Sequence, residues 1–207
     1  LMLHTKIVLV MTGLLLIAGT VGIFLMEAQN PDTMAGMPAW QKWLNAFFQS
    51  VSARTAGANT IDCGAMYDTT KLFMSMLMFV GASSGSTGGG IKITTLAVLL
   101  VTVGSVVRGK EDATIFGHKL GKQTVYKALA ILILGFLVRM TAALTIYYNT
   151  GVEISDVDSV FEASSAFATV GLTIGATPNL NLAAKIITMA TMFIGRCGPV
   201  ALAASLT

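Results

Sequence analysis

The 207-residue chain has few charged side chains and few cysteines, and both scarcities limit its class. Charged residues make up 11% and hydrophobic residues 54%, with a mean hydropathy of +0.75. Soluble domains carry about 25% charged residues. The composition therefore excludes a soluble domain and indicates a chain that folds in lipid. The two cysteines, Cys63 and Cys197, stand in a polar turn and an apolar run, which indicates neither a disulfide framework nor a metal cluster.

The basic residues are also too scattered for a nucleic-acid-binding surface. The net charge is +3, and most lysines and arginines flank apolar runs, as the positive-inside rule predicts for a membrane protein. Residues 108–127 hold the densest basic segment and are therefore predicted to be cytoplasmic. The acidic residues outside this segment fall on or near the predicted outer side, where they would attract cations.

Apolar runs predict helices of two lengths. A membrane-spanning helix needs about 20 mostly apolar residues, and shorter amphipathic pieces are predicted to be re-entrant half-helices. The predicted elements are a span at 6–25, a half-helix at 40–52, a span from 69 to 107 interrupted at 81–90, a span at 126–148, a half-helix at 157–168 and a last span from 182.

The same order occurs twice, which predicts an internal repeat. A shift of 114 positions (171 minus 57) aligns Phe47 with Phe161, Ser50 with Ser164, Thr55 with Thr169 and Gly57 with Gly171. An even number of crossings separates the copies, so they are parallel in the membrane, unlike inverted repeats. The predicted fold is an all-α membrane protein of two parallel helix/pore-loop/helix units, a first unit at 1–107 and a second unit at 126–207, joined by a cytoplasmic linker at 108–125. The first unit contains a broken spanning helix.

Two short polar strings follow the half-helices: Thr55-Ala56-Gly57 and Thr169-Val170-Gly171. Non-helical backbone at membrane depth is tolerated only where it is buried in protein or lines a water-filled path. In potassium channels a Thr-Val-Gly strand directs carbonyl oxygens at the ion, and glycine permits the backbone angles. The negative C-terminal ends of the half-helices also favour a cation. These strings therefore predict a cation path lined by carbonyl oxygens.

Four motifs that together cover nearly the whole chain resemble one family. They are RTAG at 54–57 with NTID at 59–62, GASSGSTGGGIK at 81–92, TVGLT at 169–173 and FIGR at 193–196. The sequence resembles the Trk/Ktr/HKT superfamily of potassium transporters, most closely the membrane subunit of bacterial Ktr systems. Four such units surround one pore in that family, and this chain looks like the third and fourth, the C-terminal half. Ala58 departs from the pattern, where a bulkier residue is expected.

The resemblance implies a K⁺ selectivity filter and an intramembrane gate. The filter residues would be Thr55, Ala56, Gly57, Ala58, Thr169, Val170, Gly171 and Leu172. The gate residues would be Gly81, Ala82, Ser83, Ser84, Gly85, Ser86, Thr87, Gly88, Gly89 and Gly90, with Arg196 of the last helix facing the pore nearby. K⁺ is the transported ion, and no covalent cofactor or enzymatic chemistry is implied.

The resemblance also implies partners and a location. The partners would be the missing N-terminal half of the subunit, a second membrane subunit in a homodimer, and a cytosolic nucleotide-binding ring facing residues 108–127. The protein would cross the cell membrane several times and contact the lipid bilayer. Two units cannot enclose a four-sided pore, so the chain is expected to be a fragment of the whole subunit.

Other interpretations remain open for individual features. Residues 81–90 could form a phosphate loop, although Ile91 separates Gly90 from Lys92 where that motif requires Gly-Lys, or a kink without function. A secondary transporter would need inverted repeats, and an intramembrane enzyme would need a nucleophile and base pair. Arg139 is predicted to form an ion pair, with Glu162 as the candidate, and Lys92 to cap the glycine-rich string or to reach the interface.

Overall fold

The computed structural model describes residues 2–83, 88–109, 114–115, 118–151 and 153–198. Within these ranges the fold is mostly helical, as predicted. The helices are α1 (Leu3–Glu27), α2 (Ala39–Ser52), α3 (Asp68–Phe79), α4 (Ile93–Val107), α5 (Lys122–Tyr148), α6 (Asp156–Ala168) and α7 (Leu182–Cys197), with a 3₁₀ turn at Thr177–Asn179. A hairpin of β1 (Thr114–Ile115) and β2 (His118–Lys119) occupies the linker, where the sequence did not predict strands.

Helices α1 and α5 are long and apolar enough to cross a membrane, over His4–Glu27 and Lys122–Tyr148. Only 11% and 22% of their most apolar windows are buried in the protein. Large side chains such as Ile17 (68% exposed) therefore point away from the core. In a membrane protein such faces contact lipid, where exposure of an apolar residue carries no penalty.

The half-helices α2 and α6 begin and end through different local signals. Ser155 and Asp158 form a capping box at the start of α6, in which each side chain bonds to the other residue's backbone N–H. Helix α6 ends at Ala168, and the next residue, Thr169, caps it in the left-handed conformation. Helix α2 follows Pro38, whose extended backbone suits a residue just before a helix.

The largest hydrophobic cluster lies between the two predicted units and draws on both. It contains Ile23, Met74 and Met78 from α1 and α3, together with Phe161 of α6 and Val170. Helix α3 packs directly on α6. The core therefore fixes the half-helix of the second unit against α3 of the first.

Helix α3 ends at Phe79 and α4 begins at Ile93. The residues described between them, 80–83 and 88–92, are not helical. Two backbone bonds join the ends of this segment: the Gly81 N–H donates to the Ile91 carbonyl (2.8 Å) and the Ile91 N–H to the Phe79 carbonyl (3.1 Å). The chain thus leaves α3, turns, and returns to almost the same point before α4.

Candidate functional site

The backbone after α2 alternates between left-handed and ordinary conformations. Thr55 has φ +72° and Gly57 has φ +74°, with Ala56 between them. A β-branched residue at positive φ is a genuine outlier, and such strain persists only where the surroundings impose it, commonly at functional sites. The Ala56 N–H donates to the carbonyl of Ser52 (3.2 Å), and the Ser52 hydroxyl donates to the carbonyl of Ala58. We call residues 55–58 the first loop.

The backbone after α6 repeats this alternation 114 positions later. Thr169 has φ +53° and Gly171 has φ +98°. Ser165 of α6 holds the segment twice, because its carbonyl accepts from the Val170 N–H (2.9 Å) and its hydroxyl from the Gly171 N–H (3.2 Å). We call residues 169–172 the second loop. Its Val170 and Leu172 side chains are buried in the core.

The two loops meet at their glycines. A Cβ added to Gly57 would lie 2.4 Å from the Val170 carbonyl oxygen, and one added to Gly171 would lie 3.4 Å from the Gly57 Cα. Real Cβ atoms essentially never approach a backbone oxygen to 2.4 Å. Position 57 therefore requires glycine for space as well as for its φ angle. The sequence-predicted filter residues of the two units are thus brought together.

Glu162 of α6 fixes the chain that follows the second loop. This buried carboxylate accepts hydrogen bonds from the Thr173 hydroxyl, the Ile174 N–H (3.0 Å) and the Ala176 N–H (3.3 Å) at one oxygen, and from the Thr177 hydroxyl (2.9 Å) at the other. Bonds to a charged acceptor are the stronger kind. The sequence marked Glu162 as an acidic residue near the outer side but did not predict this role.

In the first unit the buried carboxylate lies elsewhere. Glu27, at the end of α1, accepts from the side chains of Asn30 (2.7 Å) and Thr33 (2.6 Å) and from the Tyr67 N–H (2.9 Å). Close to the first loop, the neutral amide of Gln49 donates instead to the Ile61 carbonyl (3.3 Å). In the first unit the carboxylate anchor therefore comes from α1, while the half-helix contributes the neutral side chains of Gln49 and Ser52.

Residues 88–90 of the glycine-rich string (81–90) lie against both loops. The Gly89 N–H donates to the Thr169 hydroxyl (3.0 Å), and a Cβ added to Gly88 would lie 3.1 Å from the Thr55 hydroxyl oxygen. A Cβ on Gly81 would lie 1.8 Å from the Gly89 carbonyl oxygen, so this close return of the chain needs a glycine. Gly88, Gly89 and Gly90 are buried. The predicted gate residues Ser84, Gly85, Ser86 and Thr87 lie outside the described residues.

The end of α7 also reaches the string. The Gly195 carbonyl accepts from the Gly90 N–H (3.1 Å), and Gly195 packs so closely on the Phe167 carbonyl that an added Cβ would lie 1.7 Å from its oxygen. Arg196, the next residue, is exposed. Lys92 donates from Nζ to the Gly88 carbonyl, so the capping role predicted for it is correct.

The ion pair predicted between Arg139 and Glu162 is wrong. Glu162 bonds to the residues after the second loop, whereas Arg139 lies over the rings of Phe79 (4.8 Å) and Phe136 (5.7 Å). Cation–π contact replaces the carboxylate because α5 presents Arg139 to the aromatic end of α3. Arg54 is a different case: its three guanidinium nitrogens are buried without a hydrogen-bond partner among the described residues.

A buried ion pair that the sequence did not predict joins the units. Lys71 of α3 lies 2.7 Å from Asp158 of α6 and 3.7 Å from Asp68. Asp158 uses its other oxygen to accept from the Ser155 N–H (3.3 Å) in the capping box. The position of Lys71 in a predicted span, far from its cytoplasmic end, could have indicated an ion pair.

Comparison with known proteins identifies relatives along the whole chain. Residues 1–206 match the TrkH family, described as cation transport protein. The Ktr system potassium uptake protein B of Vibrio alginolyticus is 43% identical over 200 residues, 97% of this chain and 44% of the relative. The protein of the same name from Bacillus subtilis (strain 168) is 39% identical over 197 residues, 95% of this chain and 44% of the relative. The chain thus spans less than half the length of these relatives.

A solved structure shows the same fold. The potassium transporter TrkH from Vibrio parahaemolyticus superposes with a TM-score of 0.74 at 19% identity, covering 95% of this chain and 43% of that one. The relatives are membrane transporters and not enzymes. By the match over almost all of its residues, the chain belongs to the TrkH family of cation transport proteins.

Proposed function

We propose that this chain forms half of the K⁺-conducting pore of a potassium uptake system in the cell membrane. The observation that carries the proposal is the pair of Thr-x-Gly loops with matching positive φ angles, which meet at Gly57 and Gly171. The names of the relatives, potassium uptake proteins, support K⁺ as the transported ion. The coverage of less than half of each relative supports a pore completed by the rest of the subunit.

The first and second loops act as the selectivity filter. Alternating φ signs turn successive peptide groups, which lets neighbouring carbonyl oxygens replace the hydration shell of an ion. Helix α6 ends directly before the second loop and α2 two residues before the first, and the negative ends of their dipoles favour a cation there. The Ala58 carbonyl accepts from Ser52, so the oxygens of residues 55–57 and 169–171 are the better candidates to contact the ion.

The glycine-rich string acts as the gate on the inner side of the filter. Its buried residues 88–90 contact Thr55 and Thr169 of the two loops, and the loops precede it on the path of an entering ion. Glycines allow this close approach, and removal of the string would open the path. Arg196 and Lys92 bring two positive charges to the same level, which disfavour a resting cation.

The larger architecture follows from the repeat. Two parallel helix/pore-loop/helix units, at 1–107 and 126–207, contribute two of four sides, and α3 with α4 forms one spanning helix broken by the string. The remaining sides come from the N-terminal part of the subunit. A second subunit completes a homodimer, and the basic segment at 108–127 faces a cytosolic nucleotide-binding ring.

Ion competition in the full-length subunit tests the filter. In liposomes, the double variant Gly57→Ala/Gly171→Ala should lose the preference for K⁺ over Na⁺. The Cβ added at position 57 would clash with the Val170 carbonyl oxygen, and both substitutions place a side chain at positive φ. Gly104→Ala is the matched control, since a Cβ there meets nothing within 4 Å. An unchanged K⁺ preference in the folded double variant would contradict the assignment of the two loops as the selectivity filter.

Shortening the string tests the gate. Deletion within 81–90 of the full-length subunit should raise K⁺ flux in liposomes without cytosolic activator, because backbone buried under both loops is removed. Arg196→Ala should raise it in part. A folded and assembled variant whose K⁺ flux equals or falls below that of the parent would show that the string is a structural kink and not the gate.

A further inference from the structure

Arg139 places a positive charge inside the apolar helix α5. The helix continues for nine residues beyond it (148 minus 139), about 14 Å at the helical rise, and only 9% of Arg139 is exposed. Among the described residues no acidic side chain pairs with Arg139, and its Nε has no hydrogen-bond partner there. Since a charge within a membrane span is costly without compensation, the contacts that Arg139 does make are important for it.

Two aromatic rings face the guanidinium in place of a counter-ion. Arg139 Cζ lies 4.8 Å from the centroid of the Phe79 ring and 5.7 Å from that of the Phe136 ring, both within the range of a cation–π contact. Phe136 lies one turn before Arg139 on the same helix, so that contact is kept wherever α5 moves. Phe79 belongs to α3, and its contact with Arg139 therefore depends on how α3 and α5 are placed.

Phe79 lies where the glycine-rich string leaves α3. It is the last residue of that helix, and its carbonyl accepts from the Ile91 N–H (3.1 Å) at the other end of the string. Its ring packs on the Phe167 ring of α6, with centroids 5.6 Å apart. Phe79, Ile91 and Phe167 form one buried cluster. A group that holds Phe79 therefore holds both ends of the string.

Helix α5 reaches this cluster through a glycine. A Cβ added to Gly135 would lie 3.0 Å from Cζ of Phe167 and 3.6 Å from Cγ1 of Ile91. Arg139 follows Gly135 by one turn, so both residues lie on the same face of α5. The close approach at Gly135 thus sets the position from which the guanidinium contacts the Phe79 ring.

We infer that Arg139 is a positioning residue of the gate, whose cation–π contact with Phe79 holds the ends of the string where residues 88–90 cover the two loops. The inference deepens the proposed function and rests on it. The contact is strongest where water is excluded, as it is around this buried pair. Displacement of Phe79 leaves the guanidinium without the closer of its two rings, so the contact favours the covered arrangement over the released one.

A merely structural role for Arg139 makes a different prediction. If Arg139 only filled space against α3, the contact would depend on the size of the Phe79 ring. A cation–π contact depends instead on the negative potential of the ring face, which fluorine atoms withdraw while the ring stays nearly the same size. Fluorination of the ring therefore separates the two roles.

Fluorinated phenylalanines at position 79 of the full-length subunit test the inference. Mono-, di- and trifluorinated rings weaken the contact in steps. Basal K⁺ flux in liposomes, without cytosolic activator, should rise in the same order and reach about two- to thirtyfold above the parent. The same series at Phe136 is the matched control. Because that contact lies within one helix, its weakening affects the covered and released arrangements alike, and the flux should stay at the level of the parent.

Substitution of the arginine provides a second measurement. Arg139→Met removes the charge and should raise basal K⁺ flux at least as far as the trifluorinated ring at position 79. Combining the two changes should add nothing more, because the contact is already lost. Arg139→Lys keeps a positive charge and should raise the flux less. The fluorinated series leaves the arginine in place, so it tests the contact even if Arg139→Met does not fold.

Two results overturn the inference while the gate assignment stands. One is a flux that stays at the level of the parent through the series at position 79, in a protein whose flux rises on deletion within 81–90. The other is an equal rise from the series at position 136, since either ring would then serve. If the deletion also leaves the flux unchanged, the proposed gate itself fails, and the inference fails with it.

Discussion

The two units shape their loops alike but anchor them differently. Thr55 and Gly57 repeat the positive φ angles of Thr169 and Gly171. At the position aligned with Glu162, however, the first unit has Phe48 (162 minus 114 is 48). Its buried carboxylate is Glu27 of α1, which bonds to Asn30 and Thr33 before the first loop and to the Tyr67 N–H after it.

The difference indicates which part of the arrangement the proposed filter constrains. The backbone alternation is shared, so the position of the carbonyl oxygens is the common requirement. The anchors vary because any set of buried acceptors that satisfies the donors of the outer chain will serve. Removal of the two buried carboxylates, Glu27 and Glu162, should therefore affect local stability and ion selectivity to different extents.

The largest effect is expected from Glu162→Ala. Four donors lose their acceptor, and the buried Ala176 N–H left unsatisfied costs about 1–3 kcal/mol, so the chain that follows the second loop should lose its shape and its support of the loop. We expect a lower melting temperature of the full-length subunit in detergent and reduced selectivity for K⁺ over Na⁺. Glu27→Ala is the comparison: it should lower the melting temperature but preserve selectivity. Equal loss of selectivity in both variants would contradict the division of roles.

The next largest effect distinguishes the two glycines. Gly57→Ala should reduce K⁺ selectivity more than Gly171→Ala, because its Cβ meets the Val170 carbonyl oxygen at 2.4 Å, whereas that of Gly171 lies at an ordinary 3.4 Å from Gly57. Both variants also carry the cost of a side chain at positive φ, about 1–2 kcal/mol. Ion competition in liposomes measures the order, and the reverse order would be contrary to the observed packing.

A smaller effect is expected from the threonine hydroxyls. Thr169→Val removes the bond to the Gly89 N–H, worth about 0.5–1.5 kcal/mol, and should raise basal K⁺ flux about two- to tenfold. Thr55→Val should change the basal K⁺ flux less, because Thr55 packs closely against Gly88 of the string. The measurement is K⁺ flux in the absence of activator. A larger rise for Thr55→Val than for Thr169→Val would show that Thr55 holds the string more strongly.

The smallest effect on transport is expected at Cys63, which is aligned with Thr177 (63 plus 114 is 177). Burial, followed by the charges of Asp62 and Glu162, raises the pKa of the Cys63 thiol to about 12. The reactive thiolate is therefore nearly absent at pH 7–8. In a Cys197→Ser background, which removes the exposed cysteine, maleimide labelling of Cys63 in folded protein should be slow and increase with pH. Exposed Asp62→Cys in a Cys63→Ala background is the control. Equal labelling rates would show that position 63 is open to solvent.

The sequence predicted the helices well and the side-chain pairings poorly. Apolar length and turn residues located the short pieces 40–52 and 157–168, observed as Ala39–Ser52 and Asp156–Ala168. These signals are local, so one sequence contains them. The Thr-x-Gly spacing likewise located both loops before their contact could be known.

Pairings between distant residues follow from packing that the spacing does not encode. Arg139 lies inside a predicted spanning helix and Glu162 in the half-helix of the same unit, which made an ion pair the simplest prediction. The carboxylate instead satisfies the backbone donors of 174 and 176, and the guanidinium faces the Phe79 ring. Lys71 and Asp158 are 87 positions apart, and only the contact of α3 with α6 brings them together.

The hydroxyl of Thr169 has a thermodynamic consequence, because one atom joins the second loop to the string. Thr169 belongs to the loop that is proposed to hold the ion, and its oxygen accepts from Gly89 of the proposed gate. Two equilibria that share a group are linked, and their coupling is reciprocal. If release of the string alters the affinity of the filter for K⁺, then filter occupancy alters the stability of the string by the same free energy. The affinity of the filter for K⁺ would thus differ between the open and the closed state of the gate.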